Sequence, residues 1–216
     1  MSFKLTSEDY VNILIKIAHK IDENKDYITE LDSITGDGDH WANMNMGFQK
    51  IIDQEEAFKQ MVLSDLFKNI GMTLMKSIGG SSGVLYGSAY IACSKKLKDV
   101  KVIDEIVLLD IYETSLNAIM ERGKAKPGFK TMIDTLYPAV IAYKAALEEN
   151  KPSKEALEIL TQAAEEGMNS TKDMEAVKGR ATYQANKGVG HLDPGAVTMY
   201  FQIDMLTEYI HNNIIS

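Results

Sequence analysis

Residues 6–21 read TSEDYVNILIKIAHKI, and this stretch decides the fold class. Thr6 and Ser7 precede two acids, which is typical of a capped helix start because carboxylates interact favourably with the positive end of the helix dipole. The apolar residues that follow recur at i, i+3, i+4, i+7 and i+10, the spacing of one buried helical face. They are Val11, Leu14, Ile15, Ala18 and Ile21. The stretch therefore predicts an amphipathic helix.

The same period continues along most of the chain and predicts an all-α fold of about eight helices in one domain, residues 1–216. Asp193-Pro194 predicts the start of the last helix, since Asp is a frequent N-cap and Pro suits the first helical position. Pro138 predicts a kink or an end within its helix. Two buried faces are predicted further along, Val84, Leu85, Ser88, Ile91 and Ala92, and then Ile106, Leu109, Tyr112, Leu116 and Ile119.

Composition excludes several classes of function. The chain is 45% hydrophobic and 25% charged, as expected of a globular protein, and no stretch approaches the ~18–20 apolar residues that a membrane span needs. A formal charge of −8 argues against a nucleic-acid partner. The N-terminus shows no signal-peptide pattern and Cys93 is the single cysteine, so a cytoplasmic location is expected. A polyphosphate ligand would require cations, which a bound metal ion would supply.

Residues 32–44 read DSITGDGDHWANM and gather Asp32, Asp37 and Asp39 between glycines. Oxygen ligands collected in this way suit Mg²⁺ or Ca²⁺ better than Zn²⁺. An EF-hand loop is excluded, because Phe48 stands at the twelfth position from Asp37, where a bidentate Glu is required. The motif is therefore interpreted either as a metal site or as an ordinary Asp- and Gly-rich turn.

Three more loops carry residues that suit phosphate. Gly79-Gly80-Ser81-Ser82-Gly83 precedes a helix and offers backbone N–H groups to an anion, although it could equally be a helix–helix turn. Arg180, between Gly179 and Ala181, is either a phosphate clamp or a surface ion-pair residue. Residues 122–132 (RGKAKPGFKTM) concentrate basic side chains near a helix start, or else form a solvated basic loop. Asp193 is either only an N-cap or also a ligand contact.

Taken in order, these motifs resemble those of the nucleotide-binding subunit of dihydroxyacetone kinases. The resemblance covers the whole chain and implies an antiparallel eight-helix barrel with the nucleotide at one end. It implies that Asp32, Asp37 and Asp39 bind Mg²⁺, as a pair of ions, beside tightly bound ADP or ATP. The nucleotide-binding residues it implies are His40, Trp41, Ala42, Asn43, Gly80, Ser81, Ser82, Gly123, Thr131, Met132, Arg180, Asp193, Pro194 and Gly195.

The resemblance also implies a role and two partners. Separate nucleotide-binding subunits of this family work beside a ketone-binding kinase subunit, and a phosphohistidine protein of the phosphotransferase system rephosphorylates their bound ADP. The rival interpretation is a non-catalytic, nucleotide-bound regulatory subunit that docks on a transcription factor or kinase. Two residues depart from the family pattern: Trp41 where Gly is usual, and Phe129 where Asp is common. Trp41 is expected to lie next to the phosphates, where it would narrow the pocket or alter the docking of a partner, and Phe129 removes a carboxylate from a loop that is expected near the site.

Overall fold

The computed structural model describes residues 2–215, so Met1 and Ser216 of the predicted domain lie outside the described residues. Most of this range is helical. Two 3₁₀ helices, Thr171–Asp173 and Arg180–Tyr183, lie between the last two α-helices. The α-helices are α1 (Ser7–Glu23), α2 (Lys25–Thr35), α3 (His40–Ile52), α4 (Glu55–Lys59), α5 (Leu63–Ser77), α6 (Gly80–Lys96), α7 (Glu105–Gly123), α8 (Met132–Glu148), α9 (Ser153–Ser170) and α10 (Pro194–Asn213).

Eight of these helices pack side by side in a closed ring. Following the contacts, α1 packs on α3, α3 on α5, and then each helix packs on the next through α10, which returns to α1. The helices α2 and α4 lie in the connections on either side of α3. The predicted all-α, eight-helix architecture is confirmed. The two extra helices are short, and α2 is separated from α1 by Asn24 alone.

The predicted helix starts are confirmed in atomic detail. At the start of α1, the Thr6 hydroxyl accepts a hydrogen bond from the Asp9 backbone N–H, and the Asp9 carboxylate accepts one from Thr6 N. Asp193 caps α10 by accepting from Ala196 N at 2.8 Å, with Pro194 as the first helical residue. These side chains satisfy N–H groups that the helix itself leaves without partners.

The predicted face of α6 is wrong. The structure buries Gly83, Tyr86, Gly87, Ala89 and Cys93 instead, since α6 is packed between α5 and α7. Glycines set the α5–α6 contact: a Cβ at Gly87 would lie 2.8 Å from the carbonyl oxygen of Gly71. Apolar periodicity cannot detect a face made of glycine and tyrosine.

The predicted face of α7 is also shifted. Ile106 is 61% exposed, while Leu108 and Ile111 are buried with Leu116 and Ile119. Helix α8 continues through Pro138 without ending.

One hydrophobic core runs through the ring and includes residues of every long helix. Within the described residues, 100–103 do not form a sheet, and there is one isolated bridge, between Leu5 and Ile103. Between residues 2 and 215, no helix is both long and apolar enough to span a membrane. Cys93 is a buried free thiol, and burial raises its pKa to about 11.

Candidate functional site

A cavity of about 620 Å³ opens at one end of the ring. Its wall combines the α2–α3 connection, the first turns of α6, α8 and α10, and the last turn of α7. A long segment between α9 and α10, residues 171–191, closes one side; we call it the arginine loop because it carries Arg180. The loops that the sequence predicts to carry chemistry therefore meet in one place.

The three predicted metal ligands line this cavity together. Ligand oxygens of Asp32, Asp37 and Asp39 all lie within 4.8 Å of one another. Asp32 is buried at the end of α2, and its carboxylate accepts a hydrogen bond from His40 N at 2.9 Å. Gly36 allows the chain to turn over Asp32, because a Cβ there would lie 2.3 Å from an Asp32 carboxylate oxygen. Three carboxylates form an all-oxygen donor set that fits a hard divalent cation such as Mg²⁺.

The N-terminus of α6 faces the same cavity through Gly79, Gly80, Ser81 and Ser82. The N-cap is Gly79, which has no side chain to accept a hydrogen bond from the first turn of this helix. Free N–H groups at a helix N-terminus, together with the helix dipole, bind phosphate well. Asn43 of α3 lies beside this turn, so that a Cβ on Gly79 would be 2.7 Å from its side-chain oxygen.

Arg180 approaches the carboxylates from the arginine loop. A guanidinium nitrogen lies 2.6 Å from an Asp37 carboxylate oxygen, and the Arg180 side chain is 65% exposed. Arginine presents several N–H donors in a fixed planar arrangement, which suits a phosphate group as well as a carboxylate. An arginine held at this position can contact an anion bound between Asp37 and the start of α6.

The start of α8 forms another part of the wall. Thr131 is the N-cap, with its hydroxyl accepting from Ile133 N at 3.1 Å and Asp134 accepting from Thr131 N at 2.7 Å. Asp134 also accepts from Gly128 N, which fixes the loop before the helix. The adjoining part of the cavity is apolar and is suited to a flat ring such as a nucleobase. It is lined by Leu85, Ile119, Gly123, Ala125, Met132 and Ile133.

Two titratable groups at the start of α10 and α3 have pKa values displaced by burial. Burial raises the pKa of Asp193 to about 7, although its bond from Ala196 N and the nearby Lys130 oppose the shift. Burial lowers the pKa of His40 against the opposing influence of Asp32 and Asp39. The His40 Nε2 atom lies 2.9 Å from the Thr198 hydroxyl oxygen, so its ring is tied to α10. Perturbed groups of this kind are common at functional sites.

The charge of the cavity wall differs from that of the whole protein. The wall carries four carboxylates, those of Asp32, Asp37, Asp39 and Asp193, and four cations. The chain as a whole has a formal charge of −8. A polyanionic ligand in the cavity is therefore surrounded by equal numbers of formal positive and negative charges, although the chain as a whole is negative. The four cations are Arg122, Lys130, Lys178 and Arg180.

The structure brings the predicted nucleotide-binding residues together, with two exceptions. Trp41 and Ala42 are not part of the cavity wall, whereas His40, Asn43, Gly80, Ser81, Ser82, Gly123, Thr131, Met132, Arg180, Asp193, Pro194 and Gly195 are. The Trp41 side chain projects from α3 toward α2, where the Nζ atom of Lys25 lies 4.5 Å from the centroid of the Trp41 ring. Phe129 is also absent from the wall and lies beside Lys126. Neither departure from the family pattern narrows the cavity.

Sequence reasoning missed several residues of the wall. Thr35 and Lys178 contribute to it, as does Lys130, which is 1% exposed and is predicted only as part of the basic segment. The only sequence signal for Lys130 is its place in the basic segment 122–132, and a buried lysine cannot be distinguished there from exposed neighbours. Its burial depends on the arginine loop, which is distant along the chain.

Comparison with known proteins agrees with this geometry. Residues 34–208 match the family model of the DAK2 domain. The chain is 35% identical, over 94% of its length and 96% of the relative's, to the "PEP-dependent dihydroxyacetone kinase, ADP-binding subunit DhaL" of Escherichia coli. It is 36% identical, over 95% of its length and 99% of the relative's, to the corresponding phosphotransferase-system-dependent subunit of Lactococcus lactis. The chain belongs to the family of ADP-binding dihydroxyacetone kinase subunits.

A solved structure supports the same fold. The dihydroxyacetone kinase of C. freundii in complex with AMP-PNP and Mg²⁺ superposes with a TM-score of 0.71 at 26% identity. The match covers 92% of this chain and 33% of that chain, so this chain spans about a third of the longer kinase. The family membership confirms the resemblance drawn from the five sequence motifs.

Proposed function

We propose that this chain is the phosphoryl-relay subunit of a multi-subunit dihydroxyacetone kinase. It holds ADP or ATP with Mg²⁺ in the cavity at the end of the ring and acts as one domain. The observation that carries the proposal is the approach of three carboxylates within 4.8 Å of one another beside the uncapped N-terminus of α6. That pairing provides ligands for a divalent cation and donors for phosphate oxygens in a single cavity.

Each part of the wall has a proposed role. Asp32, Asp37 and Asp39 hold the metal, as two ions, and bound Mg²⁺ supplies the positive charge that offsets the phosphates. The first turn of α6, with Ser81 and Ser82, donates N–H groups to the phosphates. The apolar region near Gly123 and Met132 holds the adenine. The remaining residues of the proposed nucleotide site are His40, Trp41, Ala42, Asn43, Gly80, Thr131, Arg180, Asp193, Pro194 and Gly195.

Trp41 and Ala42 act indirectly in this proposal, by fixing the first turn of α3, which carries His40 and Asn43. Arg180 is the proposed phosphate clamp, since its guanidinium already reaches Asp37 at 2.6 Å. No residue of the chain needs to form a covalent bond to the phosphoryl group. Catalysis by this subunit then consists of positioning and charge neutralisation.

The relay uses two partners, as the names of the relatives suggest. A phosphohistidine protein of the phosphotransferase system gives its phosphoryl group to bound ADP, breaking a P–N bond and forming a P–O bond. The resulting ATP passes the same group to dihydroxyacetone, or a similar short ketone, held by a ketone-binding partner subunit. ADP then remains in place as a cofactor. Such a cycle fits a cytoplasmic protein with one buried, inert thiol.

Native mass spectrometry of the purified chain tests the nucleotide part of the proposal. The expected species is protein with one ADP or ATP and associated Mg²⁺, and EDTA should remove both together. A matched variant, Asp39→Asn, should carry less nucleotide than Asp110→Asn, which changes an exposed aspartate in the second turn of α7. A protein that is empty, and that stays empty when Mg²⁺ and ADP are added, would contradict the proposal. Retained nucleotide without phosphoryl transfer to any partner would favour a regulatory subunit instead.

A further inference from the structure

Lys130 is a buried lysine at the base of the arginine loop. It is 1% exposed and is the only buried lysine between residues 2 and 215. It follows the basic loop between α7 and α8 and immediately precedes the N-cap Thr131. Its backbone has φ +59°, a left-handed conformation that few residues other than glycine adopt. A buried cation in a strained backbone position requires partners to hold it there.

Those partners are the two ends of the arginine loop. The Lys130 ammonium donates to the carbonyl oxygen of Thr171, where the loop begins. It also donates to the carbonyl oxygen of His191, where the loop ends, at 2.5 Å. A third bond closes the same base, from Asp193 N to the Thr171 hydroxyl at 3.1 Å. One ammonium group therefore joins two backbone segments that are separated by twenty residues of chain.

The loop is also held at a second point next to Lys130. The Phe129 carbonyl oxygen accepts from Val177 N at 3.2 Å, which fixes the part of the loop that leads to Arg180. Within the loop, Ala176 N donates to the Lys187 carbonyl oxygen at 2.9 Å. Nearer to Arg180, the Gln184 side-chain amide donates to the Ile34 carbonyl oxygen of α2 at 2.5 Å, and the Arg180 side chain is largely exposed apart from its ion pair with Asp37. The position of Arg180 over Asp37 therefore depends on how the loop is attached, both at its base and at Gln184.

An ammonium group is well suited to this fastening. Two carbonyl oxygens that converge in a buried space repel each other, and a lysine offers three N–H donors that can satisfy both. Burial lowers the pKa of Lys130, while Asp193, Asp134 and Asp173 raise it and favour the charged form. An apolar side chain of similar length would leave both carbonyls without partners, which is costly in the interior.

We propose that Lys130 is the positioning residue that fastens the arginine loop to the start of α8 and so holds Arg180 over the carboxylates. The proposal deepens the proposed function, because Arg180 is the phosphate clamp of that function. Although Lys130 lines the cavity, its ammonium donates to two backbone carbonyls of the loop, so in this proposal its effect on the nucleotide comes through the loop.

Hydrogen exchange in the absence of nucleotide tests the fastening directly. In Lys130→Met, backbone amides of residues 172–190 should exchange faster by about tenfold, the factor expected when a charge-assisted hydrogen bond is lost. Amides in the middle of α9 should not change. The matched control is Lys126→Met, an exposed lysine of the same basic segment, which should leave the loop unchanged. Equal exchange in the loop of Lys130→Met and wild type would overturn the proposal.

A double-mutant cycle tests whether Lys130 acts through Arg180. The affinity for Mg²⁺ and ADP is measured by calorimetry in wild type, Lys130→Met, Arg180→Ala and the double variant. Each single change should weaken binding, and the double variant should bind about as weakly as Arg180→Ala alone, because a displaced loop has already removed the arginine. Additive losses would show that Lys130 acts on the nucleotide independently, and would overturn the proposal.

One further variant and one further readout keep the outcomes separate. If circular dichroism shows that Lys130→Met does not fold, Lys130→Gln takes its place in both experiments, since its amide keeps two N–H donors without the charge. If wild type itself does not bind Mg²⁺ and ADP, the proposed function fails, while the hydrogen-exchange comparison still decides whether Lys130 fastens the loop.

Discussion

Asp37→Asn should be more stable than wild type without ligand and less stable than wild type with saturating Mg²⁺ and ADP. Asp37 lies within 4.8 Å of Asp32 and of Asp39, oxygen to oxygen. At that distance, two like charges repel by about 0.9 kcal/mol in a medium with the dielectric constant of water, so the two pairs together cost about 1.7 kcal/mol. Asp37 and Asp39 are exposed, whereas Asp32 is buried, so the repulsion between Asp37 and Asp32 is screened less and about 1.7 kcal/mol is a lower bound.

The substitution also removes an attraction. The Arg180–Asp37 ion pair, at 2.6 Å, is 65% exposed on the arginine side and should contribute no more than about 1 kcal/mol. The ligand-free variant should therefore be more stable than wild type by about 1 kcal/mol. For a chain of this size that corresponds to a melting temperature higher by roughly 2–4 °C. The difference should shrink as salt is added, because the charges are exposed.

Saturating Mg²⁺ and ADP should reverse this order. At a thousandfold excess over Kd, binding to the folded state alone stabilises wild type by about 4 kcal/mol. If the loss of one carboxylate weakens binding a hundredfold, the variant gains only about 1.4 kcal/mol under the same conditions. Wild type should then be the more stable protein by more than 1 kcal/mol.

Thermal unfolding followed by circular dichroism, with EDTA and then with Mg²⁺ and ADP, measures both halves of this prediction. Asp110→Asn is the control. Its melting temperature should differ from that of wild type by less than that of Asp37→Asn does, both with EDTA and with Mg²⁺ and ADP. Either nucleotide or Mg²⁺ alone should have little effect on wild type. A variant that keeps the full ligand-induced stabilisation would refute the assignment of Asp37 to the metal.

Two further predictions follow from the helix caps of the site. Burial raises the pKa of Asp193 from 3.8 to about 7. Between these two pH values the folded protein keeps a proton on Asp193 that the unfolded chain has lost. The free energy of unfolding of the ligand-free protein should therefore fall as the pH rises from about 4 to about 7. Asp193→Asn keeps a side chain that can cap the helix but has no carboxyl group to titrate. In urea unfolding, the stability of this variant relative to wild type should therefore increase from pH 4 to pH 7. A stability difference between the two proteins that does not change with pH would contradict the burial of the Asp193 charge. Thr131→Ala removes the hydroxyl that caps α8 and should lower the free energy of unfolding by about 1 kcal/mol, whereas Thr131→Ser should retain most of it. Equal losses in both variants would show that the cap is not the cause.

The sequence was sufficient for features whose determinants lie close together along the chain. The three carboxylates stand within eight positions of one another, and the glycines between them allow the turn that gathers them. The caps at Thr6 and Asp193 are likewise local. The family motifs then located the remaining loops at the same end of the ring, because each one precedes or follows a long helix.

Other features depend on contacts that local patterns do not contain. The buried side of α6 is defined by the approach of Gly87 to Gly71 on another helix, and no apolar period marks it. The direction of Trp41 depends on α2, which packs against α3 and brings Lys25 over the ring. The proposed role of Lys130 depends on carbonyl groups of Thr171 and His191, which are more than forty residues away in sequence.

A burst experiment tests the central claim, that the chain relays a phosphoryl group on a nucleotide it does not release. The chain is loaded with ATP and Mg²⁺, separated from free nucleotide, and mixed with dihydroxyacetone, first alone and then with the ketone-binding subunit of a related kinase. We expect no dihydroxyacetone phosphate from the chain alone and one equivalent per bound ATP with that subunit. Adding the phosphohistidine donor should then give continuous turnover while the ADP stays bound. Sustained turnover by the chain alone, or no transfer with both partners present, would contradict the account.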